Sequence, residues 1–209
     1  MRMHAWICAA AFSLAAFSAP AAAAERTALQ KHADFFDVDG DGLIEWSETY
    51  ARCRALGFST VTASGLASAI NLALGQTTGG STWTIDTANI EAGIHGSDTG
   101  IYDADGHYNA SAFGAIFSRY DGDGDGAISE TEIDDLYAGQ FTDLTGSVAS
   151  KAEFGLLFDI AGETRSFEVP CSWWCDTYTE TEQVLTRETM VAFYDGSLFY
   201  TLAGLAVPE

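Results

Sequence analysis

The chain has 209 residues, 47% of them hydrophobic and 12% aromatic, which allows one large domain or two small ones and excludes disorder as the expectation. Nine basic residues stand against 30 acidic ones, and a formal net charge of −21 repels phosphate backbones, so no nucleic acid partner is expected. Clustered acids can instead hold divalent cations, so their placement decides.

Residues 1–24 have the form of a secretory signal peptide. Arg2 precedes an apolar run from Ala5 to Ala19, and Ala22-Ala23-Ala24 offers a small-residue cleavage site before Glu25. The run is short for a bilayer span, so export is expected, to a periplasm, the cell exterior or a secretory lumen. The mature domain is then 25–209, with Cys53, Cys171 and Cys175 in an oxidising compartment.

A helix signal, "TALQKHADFF", enters the first acidic cluster, "DVDGDGLIEWSE" at 37–48, and "WSETYARCRALGF" leaves it. The cluster fits the twelve-residue EF-hand calcium loop at every demanding position. Asp37, Asp39 and Asp41 supply single oxygens and Leu43 a backbone carbonyl. Glu45 acts directly or through water, Glu48 closes the site with both oxygens, and Gly42 permits the sharp turn. Ile44 is the apolar eighth residue, where such a loop forms a short strand with a partner loop.

Residues 55–85 follow without one charged side chain. "LGFSTVTASGLASAINLALG" is long enough to span a bilayer, but Ser, Thr, Asn and Gly dilute it. A helix closing the core and a helix lying on a lipid surface are the two readings that remain. "IYDADGHYNASA" at 101–112 keeps Asp103, Asp105 and Gly106 in calcium-loop phase, with Tyr108 at the eighth position, but Ile101 and Ala112 replace the first and last acids. It reads as a non-binding companion hand, 86–119, which includes His95.

"ASAFGAIFSRY" leads into the second full loop, "DGDGDGAISETE" at 121–132, and "TEIDDLYAGQF" follows. Its ligands are Asp121, Asp123, Asp125, the Ala127 carbonyl, Ser129 and Glu132, with Gly126 at the turn and Ile128 eighth. Two independent full matches point to two bound Ca2+ ions rather than to solvated acidic turns. Cys171 and Cys175 frame "CSWWC", with no further Cys or His nearby for a metal site, so a small local disulfide or free thiols are the readings. "YTETEQVLTRET" at 178–189 keeps Leu185 in phase without the turn glycine or last acid, a second degenerate companion. A helix over "TRETMVAFYDGSLFYTL" closes the chain. The fold expected is therefore mainly α: two full EF-hands (25–54 and the first part of 120–209), each with a degenerate partner, and an uncharged helical segment between the first two hands.

"LQKHADFFDVDGDGLIEWSET", "RALGF", "AINLALGQT", "NIEAGIHGSDTGIYDADGHY" and "FYDGSLF" resemble the caleosin family in order and spacing, from about Leu29 to about Leu202. The most specific part is HGSDTGIYDADG joined to the preceding hand, which ordinary EF-hand proteins lack. The resemblance implies a calcium-binding, lipid-associated protein and, as in several members, a haem b peroxygenase. Such enzymes take oxygen from a fatty-acid hydroperoxide to oxygenate unsaturated lipids or oxidise sulfides. It also implies haem binding by His32 and His95. His32 lies five residues before its calcium loop and His95 six before the weak one, near the ends of entering helices. From the residues alone, the favoured reading of each is a helix C-cap, where an imidazolium is favourable. A peroxygenase leaves iron one open position, so one histidine serves as axial ligand and the other as proton shuttle. His32 is the expected ligand, since a well-formed helix fixes it. Plant members carry a proline-rich knot after the apolar stretch, whereas "TTGGSTWTIDTANI" has no proline, so that targeting device is not carried over. A non-enzymatic exported calcium sensor or buffer, binding a partner or lipid surface, is the alternative, and a calcium-stabilised structural protein is a third reading. Haem content separates the first from the others.

Overall fold

In the computed structural model the described residues are 25–93, 100–140, 144–171 and 176–208, so the amino-terminal 24 residues, His95 and Cys175 lie outside them. The fold is mainly helical with two small sheets. Helix α1 (Ala28–Phe36) starts where Thr27 and Gln30 exchange hydrogen bonds: the Gln30 N–H donates to Thr27 Oγ1 at 3.1 Å and the Thr27 N–H to Gln30 Oε1 at 3.2 Å. Strand β1 (Leu43–Glu45) and α2 (Trp46–Ala55) follow, then α3 (Thr60–Thr77), β2 (Thr84–Asp86) and a 3-10 segment, Thr87–Gly93.

The charge-free stretch is α3, capped by Ser59. Its small residues Ala63, Ala67 and Gly75, with Asn71, are buried and let it pack closely on α2. Among the described residues no helix is long and apolar enough to cross a membrane.

Ile44 pairs with Ile85 of β2 in an antiparallel ladder, and both are buried. The strand facing the first loop therefore comes from "WTID", one turn after α3, and not from the segment around Tyr108. Tyr108 is engaged elsewhere: it bridges to Tyr102 across a tight turn, closed by the Asp103 N–H donating to the His107 carbonyl at 3.0 Å. That turn docks on the start of α1, where the Leu29 N–H donates to the Gly106 carbonyl at 3.1 Å.

Asn71 locks the first half together. Its Nδ2 donates to the carbonyls of Ile44 and Trp83, each at 2.9 Å, and its Oδ1 accepts from Thr49 Oγ1 at 2.7 Å. Asn71 and Thr49 are both 0% exposed. Asn71→Ala takes the donor from the Ile44 and Trp83 carbonyls and leaves Thr49 Oγ1 only its long 3.4 Å bond to the Glu45 carbonyl; it is expected to cost roughly 2–4 kcal/mol, read from the denaturant midpoint. A variant as stable as the parent would show the clamp to be dispensable.

The second half runs α4 (Ala110–Tyr120), β3 (Ala127–Ser129), α5 (Glu130–Gln140), α6 (Leu144–Ala161), β4 (Glu163–Pro170), β5 (Thr177–Thr186), α7 (Arg187–Tyr194) and α8 (Leu198–Ala203). Ile128 faces Leu185 across β3–β5, as the phase of 178–189 anticipates. What enters that segment is the β4–β5 hairpin rather than a helix. The closing helix is broken into α7 and α8 at Gly196, whose φ of 83° suits glycine and where a Cβ would meet the Ala28 carbonyl at 2.6 Å. This close approach folds α8 back against α1 and brings Phe199 to His32. Cys53 is a buried free thiol; Cys171 is disulfide-bonded, its partner outside the described residues.

Candidate calcium loops and apolar histidine cavity

In both full loops the last glutamate is already drawn over the turn by backbone N–H groups. Glu48 Oε1 accepts from Val38 at 2.8 Å and Asp39 at 3.3 Å, while its Oε2 accepts from Glu45 at 2.8 Å. Glu132 Oε1 accepts from Gly122 at 2.6 Å, and its Oε2 from the Ser129 N–H at 3.0 Å and Oγ at 3.1 Å. Gly42 and Gly126 hold the sixth position at φ 88° and 81°. One carboxylate oxygen from each of Asp37, Asp39 and Glu48 lies within 4.8 Å of the others, and so do those of Asp121, Asp123 and Glu132.

Such crowding of like charge is costly unless a cation sits between. In the second loop Asp121 Oδ1 is buried and has no hydrogen-bond partner among the described residues. The donor set is all hard oxygen, which suits calcium. Asp41 and Asp125 orient through Oδ1, each accepting from a loop N–H (Leu43 and Ala127) at 2.8 Å. The Leu43 and Ala127 positions lie at the start of β1 and β3, and Glu45 and Ser129 end those strands. Glu182 on β5 stands near the second loop: burial first, then the charges of Glu132, Asp123 and Asp125, raise its carboxyl above the ordinary range.

Asp103, Asp105 and His107 also gather within 4.8 Å, but all three are exposed. Asp103 spends its Oδ1 on the N–H groups of Asp105 and His107, at 3.0 and 2.9 Å. The His107 bond leads in holding that carboxyl below its usual range. The cluster shapes a turn.

His32 sits in the middle of α1, not in its last turn, and so does not cap the helix. It stands edge-on to Phe193 and Phe199, ring centroids 5.1 and 4.7 Å away. Among the described residues neither ring nitrogen has a hydrogen-bond partner. Burial in this apolar setting lowers its pKa from 6.5 to about 4, so the imidazole is neutral at pH 7, the form that ligates a metal.

The exposed part of His32 opens onto a cavity of about 360 Å³, at the small end of the roughly 300–1,000 Å³ typical of ligand pockets. α1 and α2 contribute Phe36, Cys53 and Leu56 to its wall; α3 contributes Ile70 and Leu74. The far side is Leu157 and Ile160 of α6, with Phe193 and Phe199. Glu153 on α6 is the charged side chain of this wall among the described residues. The α6 face was not legible as part of a site, since nothing in "VASKAEFGLLFDIA" differs from an ordinary buried helix. The other histidine singled out from the sequence, His95, falls outside the described residues, so the cavity is defined on His32.

The depressed pKa has a thermodynamic consequence. The unfolded chain takes up this proton near pH 6.5 and the folded chain near pH 4, so acidification through that window protonates the unfolded state first and drains stability. The loss is complete near pH 4 and amounts to about 3 kcal/mol. Haem-free, calcium-free parent should lose stability faster than His32→Phe between pH 6.5 and 4, by up to one proton's slope in denaturant titrations. Parallel pH profiles would contradict it.

The family model described as "Caleosin related protein" matches residues 24–169. The chain is 34% identical over 182 residues to the "Peroxygenase" of Lilium longiflorum, a match spanning 83% of this chain and 69% of that protein. It is 31% identical over 181 residues to "Probable peroxygenase 4" of Arabidopsis thaliana, spanning 83% and 84%. No solved structure matches significantly.

Proposed function

The chain belongs to the caleosin family, and on that premise we propose that it is an exported, calcium-binding haem peroxygenase that uses lipid or fatty-acid hydroperoxides to oxygenate unsaturated fatty acids. The observation that carries the reading is His32: a neutral imidazole with no hydrogen-bond partner among the described residues, facing an apolar cavity. An uncommitted nitrogen in such a wall would hold a haem iron, and the aliphatic and aromatic lining suits an apolar ligand surface.

Haem b, when bound, supplies the redox chemistry that splits the hydroperoxide O–O bond. The protein does the rest. His32 offers its lone pair because burial keeps it unprotonated, and Phe193 and Phe199 hold the ring plane. The apolar wall binds the acyl chain and excludes water. His95 is the candidate for moving the proton during O–O cleavage, so that His32 alone would hold the haem.

Asp37, Asp39, Asp41, Glu48 and their counterparts in the second loop would hold two calcium ions in EF-hand loops, each paired through its eighth-position strand with a degenerate partner. Residues 1–24 would direct the chain into the secretory route. The uncharged α3, which lines the cavity and leaves Val61 and Leu72 exposed, would meet a lipid surface at the cavity's edge.

The deciding experiment is an absorption spectrum of the purified mature protein reconstituted with haem, followed by epoxidation of oleate with a fatty-acid hydroperoxide. A Soret band and hydroperoxide-dependent product support the reading. No haem uptake would leave a non-enzymatic calcium-binding protein.

A further inference from the structure

Resting on the reading that the second loop binds calcium, we propose that Arg165 is a built-in competitor at that loop, a tethered cation that holds the Asp125 oxygen a bound ion requires. Asp125 commits Oδ1 to the Ala127 N–H, which leaves Oδ2 as its ligand atom. Arg165 Nη1 lies 2.5 Å from that Oδ2 and 3.3 Å from the Asp125 carbonyl. In the first loop Asp41 commits Oδ1 to the Leu43 N–H in the same way, and no donor among the described residues meets its Oδ2. The two loops thus differ at the fifth position, where the second aspartate oxygen is open among the described residues in the first loop and held by a guanidinium in the second.

The competitor comes from outside the loop, on strand β4. The sheet order β3–β5–β4 carries it there: β3 is the loop's own strand, β5 pairs with it, and β4 lies one strand further out. Arg165 stands opposite Glu182 in the β4–β5 ladder. Glu182 is close enough to the loop for Glu132, Asp123 and Asp125 to act on it. A second carboxylate is therefore at hand when calcium takes Asp125 Oδ2. The guanidinium moves from Asp125 to Glu182, and occupancy of the loop becomes linked to the packing of the hairpin. The pair is partly exposed, with side chains 33% and 38% accessible, so the exchange needs no opening of the core. Arg165 does not satisfy Asp121, whose buried Oδ1 lacks a partner among the described residues and stays open to the ion.

The consequence is two unequal calcium sites. Calorimetric calcium titration of the full mature chain, with the first loop silenced by Glu48→Gln, reads the second loop alone. Arg165→Gln should tighten that binding about three- to fivefold, because removing the competing ion pair frees Asp125. The gain should shrink in high salt, which screens the exposed pair. Glu182→Gln should weaken binding in the parent and do so less in the Arg165→Gln background, since the displaced guanidinium no longer needs a partner. Arg165→Lys keeps a charge on a correctly formed strand and should fall between parent and Arg165→Gln. Unchanged or weaker binding in Arg165→Gln overturns the competitor role while leaving the calcium site intact. No second-loop binding in any variant overturns the calcium reading and the competitor with it.

Discussion

His32→Ala should strip haem from the protein and reduce hydroperoxide-dependent epoxidation to background. The effect is large because no other described nitrogen faces the cavity: among its lining residues the remaining side chains are aliphatic or aromatic apart from Thr49, Cys53, Tyr102 and Glu153. Truncation also removes the ring that packs edge-on against Phe193 and Phe199, which by itself costs stability. Two controls separate ligation from packing. His32→Phe restores ring volume and should restore stability but not haem, whereas free imidazole added to His32→Ala should restore part of the Soret band. Haem content and rate are read together with thermal midpoint. A His32→Ala protein that keeps haem at parental level would refute the ligand role of His32. His95→Ala, by contrast, should retain haem and slow turnover by roughly a hundredfold, as expected for loss of a general acid–base group.

The two acidic loops were legible as candidate calcium sites because the chemistry they would serve is local. A liganding oxygen is needed at fixed offsets within twelve residues, and one chain segment displays the whole pattern. The facing strand of the second loop was legible for a similar reason, since Leu185 keeps phase with Ile128. The partner of the first loop was not. Ile85 sits in "GGSTWTIDTAN", which carries the apolar pairing residue and a single acid, while "YDADGHY" carries acids and a glycine that serve a different turn. Acid content follows metal binding, but strand pairing follows one buried side chain, and the two signals had separated. The cavity was beyond local reading. Its wall joins α1, α2, α3, α6, α7 and α8, elements up to the whole length of the domain apart. The Gly196 break that seats Phe199 beside His32 depends on the approach of Ala28, a contact that no periodicity announces.

Glu48→Gln and Glu132→Gln should each lower the calcium stoichiometry from two to one, with affinity at the altered loop falling on the order of a hundredfold or more. The last glutamate is the ligand that uses both oxygens, and the amide replaces one oxygen with a donor and removes the charge. The substitution also disturbs the turn itself, since Glu48 receives N–H groups of Val38, Asp39 and Glu45 on its two oxygens, leaving no orientation in which an amide serves all three. The two variants should then part company at the cavity. α1 ends at Phe36 and the first loop begins at Asp37, so a calcium ion held there would fix the end of the helix that carries His32. Ile44 of the same loop lines the cavity and is held by Asn71. Glu48→Gln should therefore weaken haem retention, and chelation of the parent should reproduce it, whereas Glu132→Gln acts at a loop that contributes no residue to the described wall and should leave haem binding near the parental level. Titration calorimetry and haem dissociation rates on the same three proteins test both halves. Unaltered stoichiometry in either mutant would remove that loop from the calcium sites, and equal haem loss in both would show that calcium acts on the fold as a whole rather than through α1.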